Sequence, residues 1–472
     1  MNTNAVAPAA NPWQRLLRDP GMRKLSKIAP PLFFELALGI GVGLIGTALA
    51  ARISDPAAAA FAMANQVAAM LFILFRMVGA GVTVVITQNL GAQRRDAADA
   101  VARAVLGAST WAGLFSAAMA LIFARQFMLL LNAPPDVLNI AVPFLQMIAL
   151  PLLFDAWIAS QAAVLRAHMF NRDTLAVVLV MHALHLTLAI PLMHGAAPIP
   201  AMGLVGFAIA AGISRFAALI LFLWLWKMRL NIVPQLDDWW RIQRERLAPV
   251  LHIGLPTAAE NIGYRLAFIV SVAAVGTMGA TALATQAYVL QFNYMTLLFG
   301  LAIGFSVEIV VGHMMGARKL RDAQHLVRAA LLVSLTVSLL VALFAVLVAP
   351  IGLRQFTSDA AIISKGVTLL WISIILELGR TFNLVVINAL RAAGDARYPV
   401  LAGSASMLFV LAGGSWLLGV YFGMGLIGVW MAYAADEWIR GLIMWRRWAS
   451  YAWLPYAKIS RRRARREQVA AQ

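Results

Sequence analysis

"GIGVGLIG", Gly39 to Gly46, holds Gly41-x-Gly43-x-x-Gly46, the spacing of a dinucleotide-binding fingerprint. That spacing has meaning only where a strand turns into a helix, so that a pyrophosphate meets the helix N-terminus. Here the glycines follow "PPLFFELAL" with no turn and no polar exit, and no acidic residue stands about 20 positions on. The stretch reads instead as part of a first membrane span. There, small residues let backbones approach closely or let the helix bend.

The whole chain supports that reading. Of its 472 residues, 62% are hydrophobic and 12% charged, with mean hydropathy +0.81, whereas a soluble domain is roughly a quarter charged. Apolar runs of about 20 residues, each long enough to cross a bilayer, recur at 29–53, 57–88, 97–123, 138–163, 174–192 and 201–226. A second set lies at 249–275, 282–311, 323–349, 362–388, 398–420 and 424–446. The fold expected is an all-α polytopic membrane protein of twelve transmembrane helices. The second and eighth runs are too long for one straight crossing.

Charge placement orients the chain. With the N-terminus inside, cytoplasmic segments carry 27 Lys and Arg and external loops four, Arg52, Arg125, Arg354 and Lys365. This is the positive-inside pattern, and it accounts for the net charge of +18 without nucleic acid. The terminal "RRRARR" is suited to anionic lipid. The expected location is a bacterial inner membrane, with both termini cytoplasmic and no cleavable signal peptide. The absence of cysteine excludes disulfides, thiolate metal sites and cysteine nucleophiles.

The halves repeat at a shift of 225 residues. Pro31 pairs with Pro256, Glu35 with Glu260, Gln66 with Gln291, and Gly79 with Gly304. Gly91-Ala92 pairs with Gly316-Ala317, and Leu165-Arg166-Ala167 with Leu390-Arg391-Ala392. Six spans per half give both halves the same orientation, so they form two pseudo-symmetric six-helix lobes with cargo expected between them. The boundaries are a cytoplasmic segment 1–27, a first lobe 28–226, a linker 227–247, a second lobe 248–447 and a basic tail 448–472.

Three stretches carry a family resemblance. "GLPTAAENIGYRLAFIVSVAAVGTMGATALATQAYVLQFNYMTLLFGLAIGFSVEIVVGHMMGARKLRDA" (254–323) resembles the start of a second lobe in the multidrug and toxic compound extrusion (MATE) family of the MOP flippase-like superfamily. "LRAAGDARYPV" (390–400) resembles its Leu-Arg-x-x-Gly-Asp stretch, and "VVITQNLGAQRRDAADA" (84–100) the counterpart in the first lobe. The resemblance implies a two-lobed exporter that expels organic cations or amphipathic drugs in exchange for H⁺ or Na⁺. The family's acids are missing, however. Gly46 stands where many members carry an aspartate, and Tyr264 and Arg380 stand where one branch carries a glutamate and an aspartate.

The coupling chemistry must therefore come from other residues. An ionised group at mid-bilayer costs at least about 2.5–3.5 kcal/mol, so each invites a reason. The first lobe has Glu35, Arg76, Asp155 and Arg215 within its spans. The second has Glu260, Arg265, Glu308, Glu377, Arg380, Asp436, Glu437 and Arg440, a surplus of acid. Glu260 and Asp436 are the preferred ion carriers, with Glu35, Asp155 and Glu377 as further candidates. Glu377 has Arg380 one turn away, and Asp436 has Arg440 at i+4. Asp155 is expected to neutralise Arg76 or Arg215, and Glu308 to serve as a gate or loop contact. Glu35 and Glu260 each follow a proline by four residues, where a helix N-terminus favours a carboxylate for structural reasons alone.

Gln66, Gln291, His182, Tyr264 and Arg380 are the cargo-cavity candidates. His182 and His185 share a helix face, suited to proton relay. No third ligand stands near them, so no metal is expected, and no cofactor beyond the coupling ion. His313 sits where Gln88 sits in the first lobe. The working unit expected is a monomer in lipid. The alternative is a flippase for lipid or lipid-linked oligosaccharide, with Arg76, Arg215 and Arg380 meeting its phosphates. An enzyme is not expected, because the short basic loops hold no catalytic constellation, and no P-loop occurs.

Overall fold

Helix starts are fixed by local chemistry. Asp19 accepts hydrogen bonds from the amides of Gly21 and Met22, Ser54 from Ala57, and Asp359 from Ala361 and Ile362. The computed structural model describes residues 19–196 and 200–457. The "RRRARR" tail and most of the N-terminal segment lie outside them.

The first lobe holds α1 (Pro20–Ala51), α2 (Asp55–Gly91), α3 (Arg95–Ile122), α4 (Ala124–Leu130), α5 (Pro135–Met147), α6 (Ala149–Ala167), α7 (Asn171–His194) and α8 (Leu204–Leu225). The second holds α9 (Arg244–Gly276), α10 (Ala280–Gly316), α11 (Leu320–Leu353), α12 (Ala360–Ala392), α13 (Arg397–Ser406) and α14 (Gly425–Ala449). Wider helical turns continue α13 to Tyr421.

Among the described residues, ten helical segments are long and apolar enough to cross a membrane. The bent pair α5–α6, at 44°, makes an eleventh. The twelfth crossing is α14. Every 18-residue window of it contains Asp436, Glu437 and Arg440, so composition alone disqualifies it, although it packs extensively on α12.

Helices overrun the apolar runs. Residues 20–27, expected as a polar segment, are already helical in α1, because backbone hydrogen bonding does not stop where hydropathy does. The linker is likewise ordered. Arg95 donates to the Leu230 carbonyl (3.1 Å) and Trp111 to that of Trp240 (3.0 Å), while the Trp157 and Trp239 rings meet edge to face.

Four buried apolar clusters explain how the lobes join. In the half away from the linker, one cluster is built wholly from residues 49–210 and another wholly from 267–434. In the half near the linker, both clusters are mixed. Val250 and Ile253 of α9 pack among α2, α3 and α6, and Met22, Leu25, Ile28 and Leu32 of α1 pack among α10, α11 and α12. Each lobe's first helix thus starts in the opposite lobe and ends in its own. Burial of apolar surface, at about 25 cal/mol per Å², joins the lobes at the linker face only. The far halves share no buried apolar cluster, and Gln66 of α2 and Gln291 of α10 are exposed there, which marks a cleft between the lobes.

Of the two roles expected of the opening glycines, close approach and bending, close approach is found at Gly46 alone. A side chain at Gly39, Gly41 or Gly43 would meet nothing within 4 Å. Only Gly46 is closely approached, with the Phe61 ring 2.5 Å from where a Cβ would sit and Phe207 at 3.1 Å. Aromatic rings fill the place where the resemblance implies an aspartate.

Candidate functional site

The lobes meet at the linker face through a latch with near two-fold symmetry. Gly91 of α2 lies against the His313 carbonyl of α10, and Gly316 of α10 against the Gln88 carbonyl of α2. Gln88 Nε2 donates to the Ala392 carbonyl (2.8 Å), and His313 Nε2 bonds the Ala167 carbonyl (2.9 Å). Shifting either member of each pair by 225 residues gives its counterpart. No side chain larger than hydrogen fits between these backbones, which is why both positions are glycine.

Beside each latch carbonyl sits an ion pair. Arg166 holds Glu35 at 2.5 Å, and Arg391 holds Glu260 at 2.6 Å. These are also the same pair repeated. Each spans 131 residues, so local spacing could not show it. The repeat did contain the signal, because both acids and both arginines recur at one offset.

The other acids placed in the spans are also held, with one exception. Asp155 pairs with Arg215 (2.8 Å) and Glu377 with Arg380 (2.6 Å). Asp436 accepts from Ser406 (2.6 Å) and from Arg440 Nε (3.0 Å). Glu437 is met by Arg440 (3.0 Å), Arg380 (3.3 Å) and Asn383 (3.0 Å). The exception is Glu308 of α10. It is 4% exposed, forms no ion pair among the described residues, and its Oε1 has no hydrogen-bond partner. It is buried between the lobes rather than placed at a loop. Arg166 and Arg391, each engaged with another acid, are near enough to act on it.

The cargo candidates divide. On α2, the exposed residues Ala62, Gln66, Ala69 and Arg76 continue the helix stripe that, at Thr87 and Gly91, touches α10. On α10, Ala287, Gln291 and Tyr294 are exposed on the equivalent stripe. Gln66 and Gln291 therefore face the cleft. Tyr264 stacks on Phe268 with Arg440 6.0 Å above its ring, and Arg380 is committed to its two acids. His182 and His185 lie near Arg215, whose guanidinium is itself held by Asp155. The His185 ring packs edge-on to Phe207 at 4.5 Å, and both histidines keep a ring nitrogen without a partner.

Arg76 and Arg265 stand apart from these pairs, and Asp155, expected on Arg76 or Arg215, is on Arg215. Neither Arg76 nor Arg265 takes part in an ion pair among the described residues. Arg76 keeps an exposed surface although protein surrounds it densely, as befits a side chain projecting into an enclosed cleft. The charges near enough to act on it are Arg391 and Arg265, both of its own sign.

Comparison with known proteins places this geometry. The MatE family model matches residues 31–190 and 256–416, one block in each lobe. An uncharacterized transporter of Bacillus subtilis, YisQ, is 30% identical over 424 residues, covering 90% of this chain and 93% of its own. A probable multidrug resistance protein NorM of Thermotoga maritima is 24% identical, with 94% and 96% covered. A solved MOP superfamily transporter from Pyrococcus furiosus superposes with TM-score 0.84 at 17% identity, covering 94% of this chain and 98% of that one. That structure is described as having a binding pocket of reverse polarity.

Proposed function

The chain belongs to the MatE family of membrane transporters, and from that premise we propose that it is a secondary active efflux antiporter. It exports organic, cationic or amphipathic compounds in exchange for H⁺ or Na⁺, as a monomer in a bacterial inner membrane, with the linker face and both termini cytoplasmic. It is a transporter and not an enzyme.

One observation carries this reading. The lobes are joined through a repeated latch at one face, and their other halves have separate cores. Alternating access needs two rigid bodies with a closable seam at each end, and this is such an arrangement with one seam shut. Binding of cargo or ion on one side then shifts the population of the two states. The test is movement of the fluorescent cation ethidium into vesicles holding purified protein, under an imposed pH gradient, a sodium gradient, or neither. Accumulation that follows one gradient supports antiport, and accumulation indifferent to both overturns it.

A second reading is a flippase for a lipid-linked cargo with a phosphate headgroup. Arg76 and Arg265, near enough to act on each other and in no ion pair among the described residues, favour it. Arg215 and Arg380, held by acids, no longer speak for it. Deleting the gene separates the two. Loss of toxic-cation resistance with an intact envelope supports efflux, and an envelope defect supports the flippase.

A further inference from the structure

We propose that Glu308 carries the coupling proton through the latch. The inference rests on the antiport reading above and names the group that performs the exchange.

The first support is elimination. Glu35, Asp155, Glu260, Glu377, Asp436 and Glu437 each face at least one arginine. A carboxylate held at ion-pair distance by a guanidinium is a poor proton carrier, because protonating it leaves a buried cation without a partner. Glu308 forms no ion pair among the described residues, and its Oε1 has no hydrogen-bond partner there. An ionised carboxylate buried without hydrogen bonds is among the most expensive groups a membrane interior can hold. The closed latch therefore accommodates Glu308 with its proton on.

The second support is position. Glu308 lies two turns of α10 from Gly316 and one turn from Gly312, which packs on Thr87 of α2. The two arginines whose charge reaches it, Arg166 and Arg391, directly precede the carbonyls that His313 and Gln88 grip. The helices packed against α10 supply no competing partner. Glu35 of α1 is held by Arg166, and Glu260 of α9 by Arg391. Within its span, α2 carries only Arg76, which is not among the charges that act on Glu308. α11 has no charged residue beyond Arg328, and Lys24 of α1 acts on His313. Opening the latch toward the linker face lets water reach Glu308.

The third support is broken symmetry. The equivalent residue of the first lobe is Thr83, whose hydroxyl donates to its own helix at the Gly79 carbonyl (2.9 Å). One side of the junction packs with a threonine there, so packing alone does not call for an acid on the other.

The step is a proton relay without covalent chemistry. A proton from water on the open side binds one oxygen of Glu308, the seam closes over the neutral acid, and opening at the linker face returns the proton to water there. Asp99, also with a partnerless oxygen, is no rival. It sits in the first turns of α3 at the linker face, with Arg95 and Arg103 beside it.

The test follows latch opening without cargo. Backbone hydrogen exchange of 84–92 and 309–317 is measured across the neutral range on purified protein in lipid, corrected for intrinsic rates. If the closed state holds one more proton than the open one, opening rises up to about tenfold per pH unit in the wild type. Glu308→Gln makes it flat. Glu308→Thr, which copies the other lobe, guards against a folding defect and also makes it flat. A wild-type latch indifferent to pH, or variants that keep the wild-type slope, overturns the proposal. A wild-type latch that responds through Glu308 while ethidium follows no gradient sustains it, and it is then the antiport reading that fails.

Discussion

The two lobes are alike where they touch and unlike where they do not. At the linker face each contributes one glycine, one latch side chain and one Glu–Arg pair, all at a common offset. Away from it the first lobe has one pair, Asp155–Arg215. The second has a network in which Arg380 and Arg440 hold Glu377, Asp436 and Glu437. The shared parts are mechanical, since both halves must close on the same axis. The unshared network is where chemistry is free to differ, and Glu308, which answers to Thr83 in the repeat, carries such a difference into the seam itself.

The largest expected effect tests that contrast in stability. Arg440→Met leaves Asp436 and Glu437 short of a cation in a buried network, and breaking a buried pair costs about 3–5 kcal/mol. Arg215→Met breaks a less enclosed pair, with side chains 21% and 18% exposed, and costs less. Thermal unfolding in detergent compares them, and equal losses would break the contrast.

Next come the latch glycines. Gly91→Val and Gly316→Val each drive a side chain into a facing carbonyl, and overpacking of this kind costs about 1–3 kcal/mol. The seam should open to a similar extent in both, seen as faster hydrogen exchange at 84–92 and 309–317. An effect confined to one would show that the symmetry is only formal. Smaller again are Glu35→Gln and Glu260→Gln. Each should slow ethidium transport, and charge reversal of Glu35 together with Arg166 should recover part of the loss in a double-mutant cycle. Additive losses would mean that the pair does not act as one.

The smallest effect concerns His168, just past the end of α6. Burial holds its imidazole below its ordinary value of 6.5. The folded form therefore stays neutral while the unfolded chain takes up a proton, and stability falls as pH drops below that value. His168→Gln should flatten this acid limb in thermal unfolding measured against pH, and an unchanged limb would exclude the residue. No counterpart is expected in the second lobe, where Ala393 takes the place.

Much of the architecture was present in residue order. Hydropathy located the spans, and one offset paired the lobes. Local spacing found Glu377–Arg380 and Asp436–Arg440, because a helix brings i+3 and i+4 neighbours together by its own geometry. It could not find Arg391 beside the favoured Glu260, nor show that Glu308, placed near a loop on sequence position, lies buried at the seam. Nor could it tell Gly46, packed on Phe61, from Gly43, which faces open space.

The chain by itself determined that this is a membrane protein, doubled in tandem, with few charges in its spans. Those properties follow from composition and period, which act on every residue alike. Only tertiary structure decided which arginine answers which acid and which acid is left alone. Ion pairing depends on a few ångströms between side chains, and helices crossing more than a hundred residues apart set that distance.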